Sequence, residues 1–495
     1  MRNVNSNDTP HGISCFSFPG GLYRYVIVFV LIVLSGCATV GPDYQAPEMQ
    51  APEAWHTRLA GGLAVSATDA QGRAAWWQVF EDPQLTDLIE RAVAGNLDLQ
   101  NAMARISEAR ALYGVSQADD YPVLDGTGRV SRRQTSEQTS GRAGSGEATG
   151  YYIAGFDTVW ELDLFGGIRR AKEAALAELE TRQEAMGAVL VSLQAEVALN
   201  YLSIRTYQAR LQAAEANLAT QQETFEINQS RYEAGLIGEL AVHQSRYVLE
   251  QTRSQIPLLQ DGLGRAGNRL AVLVGVPPGT LHATLAPSHP IPCIPVEIVM
   301  GIPAQTLRQR PDIRRAERAV ARQTALVGVA EAELYPQFHL MGSFGLEALS
   351  AGDFFDSASR FWGIGPRVSW RLFDGGRIRQ QIKAQSARQE QALIDYQAAL
   401  LAAREEIENA ILAFAKEQLR RDSLVRATEA ARNADRIARD QYRAGLVDFS
   451  NVLDAQRSLL SFEDQLAQSR GAVSANLVHL FKALGGGWQQ MTEIP

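Results

Sequence analysis

Cysteine is scarce in this 495-residue chain, which contains only Cys15, Cys37 and Cys293. Cys15 and Cys37 fall in a stretch that is typical of an export signal and its cleavage site, described below. Cys293 is then the one thiol left in the mature chain, which excludes an intrachain disulfide even in an oxidising compartment. The fold must therefore be stabilised by packing.

Uninterrupted apolar runs of 18 or more residues are also missing, so the sequence does not predict a membrane-spanning helix. An excess of basic residues is missing too, because the formal net charge is -8 and the pI is near 5.6. A nucleic-acid-binding protein usually has a basic face, and no long Lys/Arg run provides one. With 46% hydrophobic side chains, however, the chain can bury a substantial core.

Motifs for catalysis and for metal binding are absent from the sequence. The seven histidines are scattered, and there is no HExxH, GxSxG or GxxxxGKS/T pattern. Gly262, Gly264 and Gly267 match a dinucleotide-binding fingerprint in spacing, but they lie inside a helical pattern, which favours close helix packing instead. The sequence therefore predicts no enzyme, no cofactor and no metal site.

One short apolar run is present near the amino terminus. Arg24 is followed by ten apolar residues, 25–34, and then by Ser-Gly-Cys37. A charged flank, a short apolar core and small residues before a cysteine resemble a bacterial lipoprotein signal. We therefore expect 1–36 to be removed and Cys37 to carry acyl chains, each buried methylene contributing about 0.8 kcal/mol to membrane binding. The alternative is an ordinary signal peptide with a chance cysteine.

The chain is also self-similar, and internal repeats bear on the fold before any local assignment. Four segments recur in the same order at offsets of 208 to 214 residues. They are NLDL (96–99) and RPDI (310–313), GVSQADDYP (114–122) and GVAEAELYP (328–336), LDLFGGIRR (162–170) and WRLFDGGRIR (370–379), and RYEAGLIGEL (231–240) and QYRAGLVDFS (441–450). These matches predict an internal duplication.

The repeats suggest domain boundaries. One copy occupies about 83–276 and the other about 302–486, and between them lies a linker, 277–301, that is too rich in proline for a helix or a central strand. Residues 37–82 form an amino-terminal segment and 487–495 a carboxy-terminal tail. Each copy is predicted to contain a helix that ends at Tyr-Pro, two alternating segments, a Gly-Gly pair, a very long helix, a turn and a returning helix.

Each copy contains an unusually long helical pattern. No proline occurs from about Ile168 to Tyr232, where residues at coiled-coil spacings of three and four recur with one four-four step. At a rise of 1.5 Å per residue such a helix is on the order of 100 Å long. The second copy repeats it from about Ile378 to Tyr442. Abundant alanine and polar residues within the seam favour closely packed helices that form a tube.

Four alternating segments are predicted to be strands, at about 123–133, 151–165, 337–347 and 361–373. Their apolar and polar residues keep the same parity in both copies. One such segment would suit a half-buried strand of a soluble sheet, but four together favour a transmembrane β-barrel. Pro366 weakens the fourth strand. The aromatic residues available for membrane-interface girdles are Tyr152, Trp160, Phe338, Trp362 and Trp370.

Four strands are too few to close a membrane barrel, which needs at least eight, and an open sheet edge is too costly in lipid. The sequence therefore predicts an oligomer. The residues alone permit a dimer with eight strands or a trimer with twelve.

Together these features resemble the outer-membrane factors related to TolC and OprM, particularly the efflux lipoproteins of the NodT type. The resemblance covers nearly the whole mature chain. It rests on LSGCATVGPDY (34–44), WWxxFxDPxL (76–85), LRQRPDIRRAE (307–317), the Gly-Gly strand exits and the paired RYEAGL-type turns.

The resemblance implies a mainly α-helical homotrimer in outer-membrane lipid, in which a twelve-stranded β-barrel continues into a long coiled-coil barrel of helices. The termini and the linker would form a mixed domain around it. It also implies a passive, gated exit duct of a tripartite multidrug efflux system. Its partners would be a periplasmic adaptor protein and an inner-membrane proton-driven pump, with no role for nucleic acid or a cofactor.

The resemblance places the periplasmic tip, where helices converge and the adaptor docks, at the turns between long and returning helices. The two glycines of these turns can adopt the positive φ at which a helix reverses. The segments after the turns differ, with IGE at 237–239 and VDF at 447–449, which predicts unequal roles for the two hairpins. The turn residues are Gly235, Leu236, Gly445 and Leu446.

The family's inner constriction aspartate corresponds to Asp454, and a second acidic constriction position is Asn451 here. Three copies of Asp454 would form an acidic ring that binds cations in a narrow pore. The alternative for Asp454 is a solvated acid on a helix face.

The tyrosine of the family's gating network corresponds to Tyr442, whereas its acidic partner in the first copy is replaced by Ala241. A TolC-type latch is therefore not expected. A latch in this chain would use other groups, such as Asp448 or Glu239.

Two other functions are left open by the sequence. Within the same fold, the chain could be the outer-membrane duct of a type I protein secretion system, which the neighbouring genes would distinguish. From a different class, a lipid-anchored periplasmic coiled-coil scaffold would explain the signal and the helices, but not four strands of matched parity.

Overall fold

A computed structural model describes residues 39–49, 54–58, 62–65, 75–134, 136, 148–292, 298–300 and 303–488. The predicted signal, 1–36, and the lipidation site, Cys37, lie outside the described residues. The chain divides into two compact units. A sheet unit comprises Met1–Asp43, Gly114–Ala174 and Thr324–Ser386, and a helical unit comprises Tyr44–Tyr113, Ala175–Gln323 and Ala387–Pro495.

Helices account for most of the described residues, and the two longest, at 67 residues each, follow the two proline-free patterns. The helices are α1 (Pro83–Gly95), α2 (Leu97–Ala118), α3 (Gly167–Glu233), α4 (Glu239–Val274), α5 (His282–Leu285), α6 (Pro303–Gln309), α7 (Pro311–Ala332), α8 (Arg377–Arg443) and α9 (Phe449–Ala483). The strands are β1 (Leu63–Val65), β2 (Val123–Gln134), β3 (Ala148–Leu162), β4 (Ile298–Met300), β5 (Gln337–Ala348) and β6 (Arg360–Ser369).

One helix of 22 residues leads to each Tyr-Pro, as predicted, and a separate helix, α1 or α6, precedes it. Between α1 and α2, Asn96 has an extended backbone, and its side-chain oxygen accepts a hydrogen bond from the Leu99 backbone N–H at 3.0 Å. Between α6 and α7, Arg310 precedes Pro311, whose missing N–H suits the first position of a helix. Asparagine and proline thus act here as signals that start a helix.

Equivalent contacts hold these two breaks in place. The Asn96 side-chain amide donates to the Leu273 carbonyl at the end of α4, at 2.9 Å. Arg310 donates from Nη1 to the Ala483 carbonyl at the end of α9. The donors are 214 residues apart and the acceptors 210 apart, as in the sequence matches.

The core of the helical unit lies around the ends of α4 and α9. Trp76 is fully buried and stacks on Phe481, with ring centroids 5.4 Å apart. Leu85, Tyr201 and Phe414 are also buried in this cluster. The Trp-Trp-x-x-Phe segment therefore anchors the amino-terminal region to the long helices.

The linker is more ordered than the proline content predicts. It contains the four-residue helix α5, and β4 at its end pairs in parallel with β1. Each of these strands has three residues and only one neighbour, so nearby prolines do not interrupt a ladder.

Among the described residues, α3 has one window apolar and long enough to cross a membrane by composition, and 56% of that window is buried inside the protein. Such burial is expected of a helix in a packed core. The returning helix α4 contains Pro257, which removes one backbone donor within the helix.

The four long strands form one antiparallel sheet in the order β2-β3-β5-β6, which confirms the prediction of four antiparallel strands. The ends differ from the predicted ones, because β3 begins at Ala148 and β6 stops at Ser369. In β6, Pro366 lies opposite Leu340 of β5. Strand β6 is an edge strand, where proline is tolerated.

Candidate functional site: helix turns and sheet faces

Both long helices end in a Schellman turn. At the end of α3, Gly235 N–H donates to the Tyr232 carbonyl and Leu236 N–H donates to the Arg231 carbonyl, both at 2.9 Å. Gly235 has a φ of 72°, and no atom lies within 4 Å of a Cβ added there. Glycine is therefore favoured at this position by backbone conformation alone.

The turn after α8 repeats this geometry. Gly445 has a φ of 74°, its N–H donates to the Tyr442 carbonyl at 3.0 Å, and Leu446 N–H donates to the Gln441 carbonyl at 2.9 Å. The following leucines, Leu236 and Leu446, are 73% and 74% exposed. Each turn thus presents an apolar side chain to its surroundings.

The two turns differ in what lies behind them. After the second turn, Phe449 is buried in a small apolar cluster with Val248, Val452 and Leu453. The equivalent position after the first turn is Glu239, which is exposed and lies 3.2 Å from His243 (Oε1 to Nε2). Only the second hairpin therefore begins with an apolar anchor.

Tyr442 connects the two hairpins. Its hydroxyl donates to the Asn228 side-chain oxygen on α3 at 2.8 Å, and its ring lies 5.4 Å from the Phe449 ring. The Arg231 guanidinium lies over the Tyr442 ring, 5.0 Å from its centroid. Tyr442 is thus hydrogen-bonded to Asn228 in the protomer, and the latch groups named from the sequence, Asp448 and Glu239, stay predictions.

The predicted constriction residues lie at the start of α9. Asn451 donates from Nδ2 to the Asp448 carbonyl at 3.4 Å, and the Asp448 side chain makes no capping hydrogen bond. The Asp454 side chain is 79% exposed, with Arg457 Nη1 at 4.0 Å. The structure brings Asp448 and Asn451 together and leaves the Asp454 carboxylate facing outwards in the protomer.

An ion pair on α8 between a buried aspartate and a half-buried arginine was not found from the sequence. Asp435 is 2% exposed, and its Oδ2 lies 2.6 Å from Nη2 of Arg439. Burial raises the pKa of Asp435, against the opposing charge of Arg439. The sequence shows only an acid and a base four residues apart, which is the pattern of many solvated pairs on a long helix.

The sheet has one apolar face, set by the alternation along each strand. Phe156, Phe344 and Trp362 lie opposite one another across three strands, and the Phe156 and Phe344 rings stack at 5.2 Å. Other residues of this face are Leu124, Val130, Tyr152, Trp160, Phe338, Leu340, Ile364 and Val368.

The opposite face is mainly polar, although Val123, Val159 and Met341 also lie on it. Thr127 donates to Asp157 at 2.9 Å across β2 and β3. Other residues of this face are Asp125, Arg129, Glu161, His339, Ser343, Glu347 and Arg367. The sheet therefore presents one face suited to hydrocarbon and one suited to water.

Tryptophans hold both strand pairs to the helices before them. Trp160 Nε1 donates to the Asp120 carbonyl at 2.9 Å, and Trp370 Nε1 donates to the Leu334 carbonyl at 3.0 Å. Four of the predicted girdle residues lie on the apolar face, whereas Trp370 follows the end of β6.

The glycine fingerprint packs less closely than predicted. A Cβ on Gly262 would lie 2.5 Å from the Tyr207 ring, which agrees with close packing. Gly264 and Gly267 have nothing within 4 Å, so the prediction was wrong for them. They line a cavity of about 600 Å³ beside α5.

A family model described as "Outer membrane efflux protein" matches residues 88–276 and 302–486. The chain belongs to this family. The resemblance drawn from its motifs is confirmed, and the efflux protein is an outer-membrane transport protein, not an enzyme. Among the described residues, no group of three or more His, Cys, Asp or Glu could hold a metal ion.

Curated relatives cover almost the whole efflux protein. "Cation efflux system protein CusC" of Escherichia coli is 31% identical over 93% of this chain and 98% of its own length. "Nodulation protein T" of Rhizobium leguminosarum bv. trifolii is 30% identical over 95% and 98%, respectively.

A solved structure has the same fold. The outer-membrane channel OprN has a TM-score of 0.86 and 36% identity, covering 91% of this chain and 100% of its own. The efflux protein therefore has the architecture of an outer-membrane channel, mainly helical with four antiparallel strands per chain.

Proposed function

We propose that three copies of the efflux protein form the passive outer-membrane exit duct of a tripartite efflux system. The sheet carries this proposal. It has an apolar face, a polar face and two edge strands, β2 and β6, each with one edge that is unpaired among the described residues of the protomer. In lipid, unpaired backbone groups cost several kcal/mol each, so both edges must pair with other copies.

Three copies would supply twelve strands and enclose a lumen lined by the polar face. A dimer would supply eight, enough to close a barrel but with an interior filled by side chains. The family resemblance favours the trimer. The hairpins α3–α4 and α8–α9 would then form the helical part of the same duct, with an internal duplication accounting for the matching contacts of the two halves.

The gate of this duct is proposed to lie at the turns. Tyr442, Asn228 and Arg231 join the hairpins of one copy, and Asp454, Asn451 and Asp448 would approach their equivalents in the other copies. Exposed Leu236 and Leu446 would bind a periplasmic adaptor, which connects the duct to a proton-driven inner-membrane pump. Exposed apolar side chains at the ends of rigid hairpins favour such a contact.

The cargo is proposed to be toxic small molecules or ions, because relatives are named for cation, solvent and toluene efflux. Acyl chains on Cys37 would anchor each copy, after removal of 1–36. The proposed segments are 37–82, 83–276, 277–301, 302–486 and 487–495.

Purified protein in planar bilayers tests the duct directly. We expect a heat-modifiable oligomer on gels and discrete single-channel currents. A monomer without conductance would contradict the proposal and favour a scaffold. Deleting the gene should sensitise cells to toxic compounds without blocking protein secretion, whereas loss of a secreted protein alone would contradict the efflux assignment.

A further inference from the structure

Within one chain, α7 packs against α3 through a row of ion pairs. Arg322 Nε lies 3.2 Å from Glu178 Oε2, and a Cβ on Gly187 would lie 3.1 Å from Pro311 Cβ, so the helices are close. The other pairs in the row are Arg314–Glu184 at 2.7 Å and Arg318–Glu180 at 3.2 Å.

The two halves of the chain supply a second pair of equivalent surfaces. The matches and the shared Asn96 and Arg310 contacts relate α2 to α7 by 214 residues, and α8 to α3 by 210. Helix α2 is therefore the counterpart of α7, and helix α8 is the counterpart of α3. The α7–α3 contact should recur between α2 and α8.

Both of these surfaces are exposed in the part of the protomer that the structure describes. On α2, the positions that match Pro311, Arg314, Arg318 and Arg322 are all exposed, whereas those four residues are buried or half-buried. The α2 positions are Leu97, Gln100, Ala104 and Glu108. On α8, the positions that match Glu178, Glu184 and Gly187 are exposed as well. They are Arg388, Ile394 and Gln397.

The charged residues on the exposed surfaces of α2 and α8 indicate what covers these surfaces. At the position of Arg322, α2 has Glu108, and at the position of Glu178, α8 has Arg388. Opposite charges are thus kept with their signs exchanged at the positions of the Arg322–Glu178 pair. The positions of the other two pairs carry Gln100 with Ile394 and Ala104 with Glu390. Among the described residues, neither Glu108 nor Arg388 has an ion-pair partner.

We propose that α2 of one copy packs on α8 of the next copy, with Glu108 and Arg388 paired across the subunit interface. This rests on the oligomer of the proposed function and specifies its seam. The second copy is the occupant because only another chain can bring an α8 surface to α2 in the arrangement that α3 brings to α7.

The exchanged signs also select the correct neighbour. If α2 docked on α3 of another copy, Glu108 would face Glu178. If α7 docked on α8, Arg322 would face Arg388. Like charges across a contact disfavour both arrangements, so the intrachain and interchain seams are not interchangeable.

Charge reversal tests the pair in the full-length protein. Glu108→Arg and Arg388→Glu should each reduce the SDS-resistant oligomer several-fold, and the double reversal should restore it to within about twofold of wild type. Arg110→Glu, also exposed on α2 but outside this row, is the matched control and should leave the oligomer unchanged. A double reversal no better than either single change would overturn the proposal.

Chemical cross-linking tests proximity without relying on stability. In a Cys293→Ser background, Glu108→Cys with Arg388→Cys should give covalent dimers and trimers with a short bis-maleimide, and Arg110→Cys with Arg388→Cys should not. If wild type is an oligomeric, conducting channel but this pair gives no cross-link, the seam is wrong while the proposed function stands. A monomeric, non-conducting wild type would instead overturn both.

Discussion

At the scale of single residues, Arg310 explains how the Leu-Arg-Gln-Arg-Pro-Asp segment stabilises the fold. Its Nη2 lies 2.8 Å from Asp312 and 2.7 Å from Glu406, and its Nη1 donates to the Ala483 carbonyl. Burial alone would raise the pKa of Asp312, but the hydrogen bonds and charge of Arg310 lower it. One buried cation therefore joins the start of α7, the middle of α8 and the end of α9.

Arg310→Ala should lower the free energy of unfolding by about 1–3 kcal/mol at pH 7, because two half-exposed carboxylates lose their buried partner and the Ala483 carbonyl loses its donor. The depressed pKa of Asp312 stabilises the fold above its unfolded pKa of about 3.9, and this contribution is lost as the pH falls through the lower folded value. The variant should lack that part of the acid dependence. Denaturant unfolding of detergent-solubilised protein between pH 3 and pH 7 measures both effects.

The matched control is Arg315→Ala, because Arg315 is exposed on α7, the helix that Arg310 precedes. Equal losses of stability in Arg310→Ala and Arg315→Ala would refute the role given to the buried cation.

Tyr442→Phe should raise the ratio of open to closed channels roughly fivefold, since it removes one hydrogen bond worth about 1 kcal/mol and leaves Asn228 unpaired. Tyr232→Phe is the control at the equivalent position of the first turn, where the tyrosine is 41% exposed. Open probability in planar bilayers distinguishes them. An unchanged open probability for Tyr442→Phe would show that this contact does not hold the closed state.

At the scale of elements, local patterns predicted the long helices, the strands and both turns, because periodicity and glycine spacing depend only on residues that are close together in the sequence. The separate helix α1 was not predicted, since an asparagine next to an apolar pattern does not by itself show that one helix ends and another begins. The extent of β6 was overestimated because Trp370 continues the alternation, although its indole bonds to Leu334 beyond the ladder.

Gly445→Ala should destabilise the second turn by about 1–2 kcal/mol, because an L-residue is strained at positive φ. Gly238→Ala should cost less, about 0.5–1 kcal/mol, because Gly238 has a φ of -81° and open space around it, so that only the poorer N-cap preference of alanine counts. Hydrogen exchange of the Leu446 amide, compared with wild type, reports the local opening. If the Leu446 amide exchanged equally faster in both variants, strain at the positive φ of Gly445 would not be the cause.

At the scale of the whole molecule, the sheet faces give the sharpest test of membrane insertion. Phe344→Arg should prevent stable assembly in the outer membrane, because a charge on a lipid-facing strand costs about 2–4 kcal/mol at the bilayer midplane. Its neighbour Ser343 lies on the polar face, so Ser343→Arg should assemble and alter ion selectivity. Membrane fractionation and single-channel currents measure the two outcomes, and equal assembly of both variants would contradict the assignment of faces.

The sequence predicted which residues cluster at the turns but not which of them touch. Gly445 was identified from the repeated motif, and Tyr442 from the family resemblance. Asn228 was not, because its pairing depends on how two hairpins pack, and the two residues are far apart in the chain. Asp435 was missed for the same reason, since burial is a property of the assembled helices and not of the local pattern.

The pairing of β3 with β5 has a consequence for the order of folding. Leu162 pairs with Phe338, and the whole of the first helical hairpin is synthesised between them. The β2–β3 and β5–β6 pairs can form early, because their strands are close together in the sequence. The β3–β5 pair forms only after the long intervening segment has been synthesised, and its formation loses the conformational entropy of closing that loop. The centre of the sheet, rather than its outer pairs, should therefore set the pace at which a newly exported chain becomes ready for the membrane.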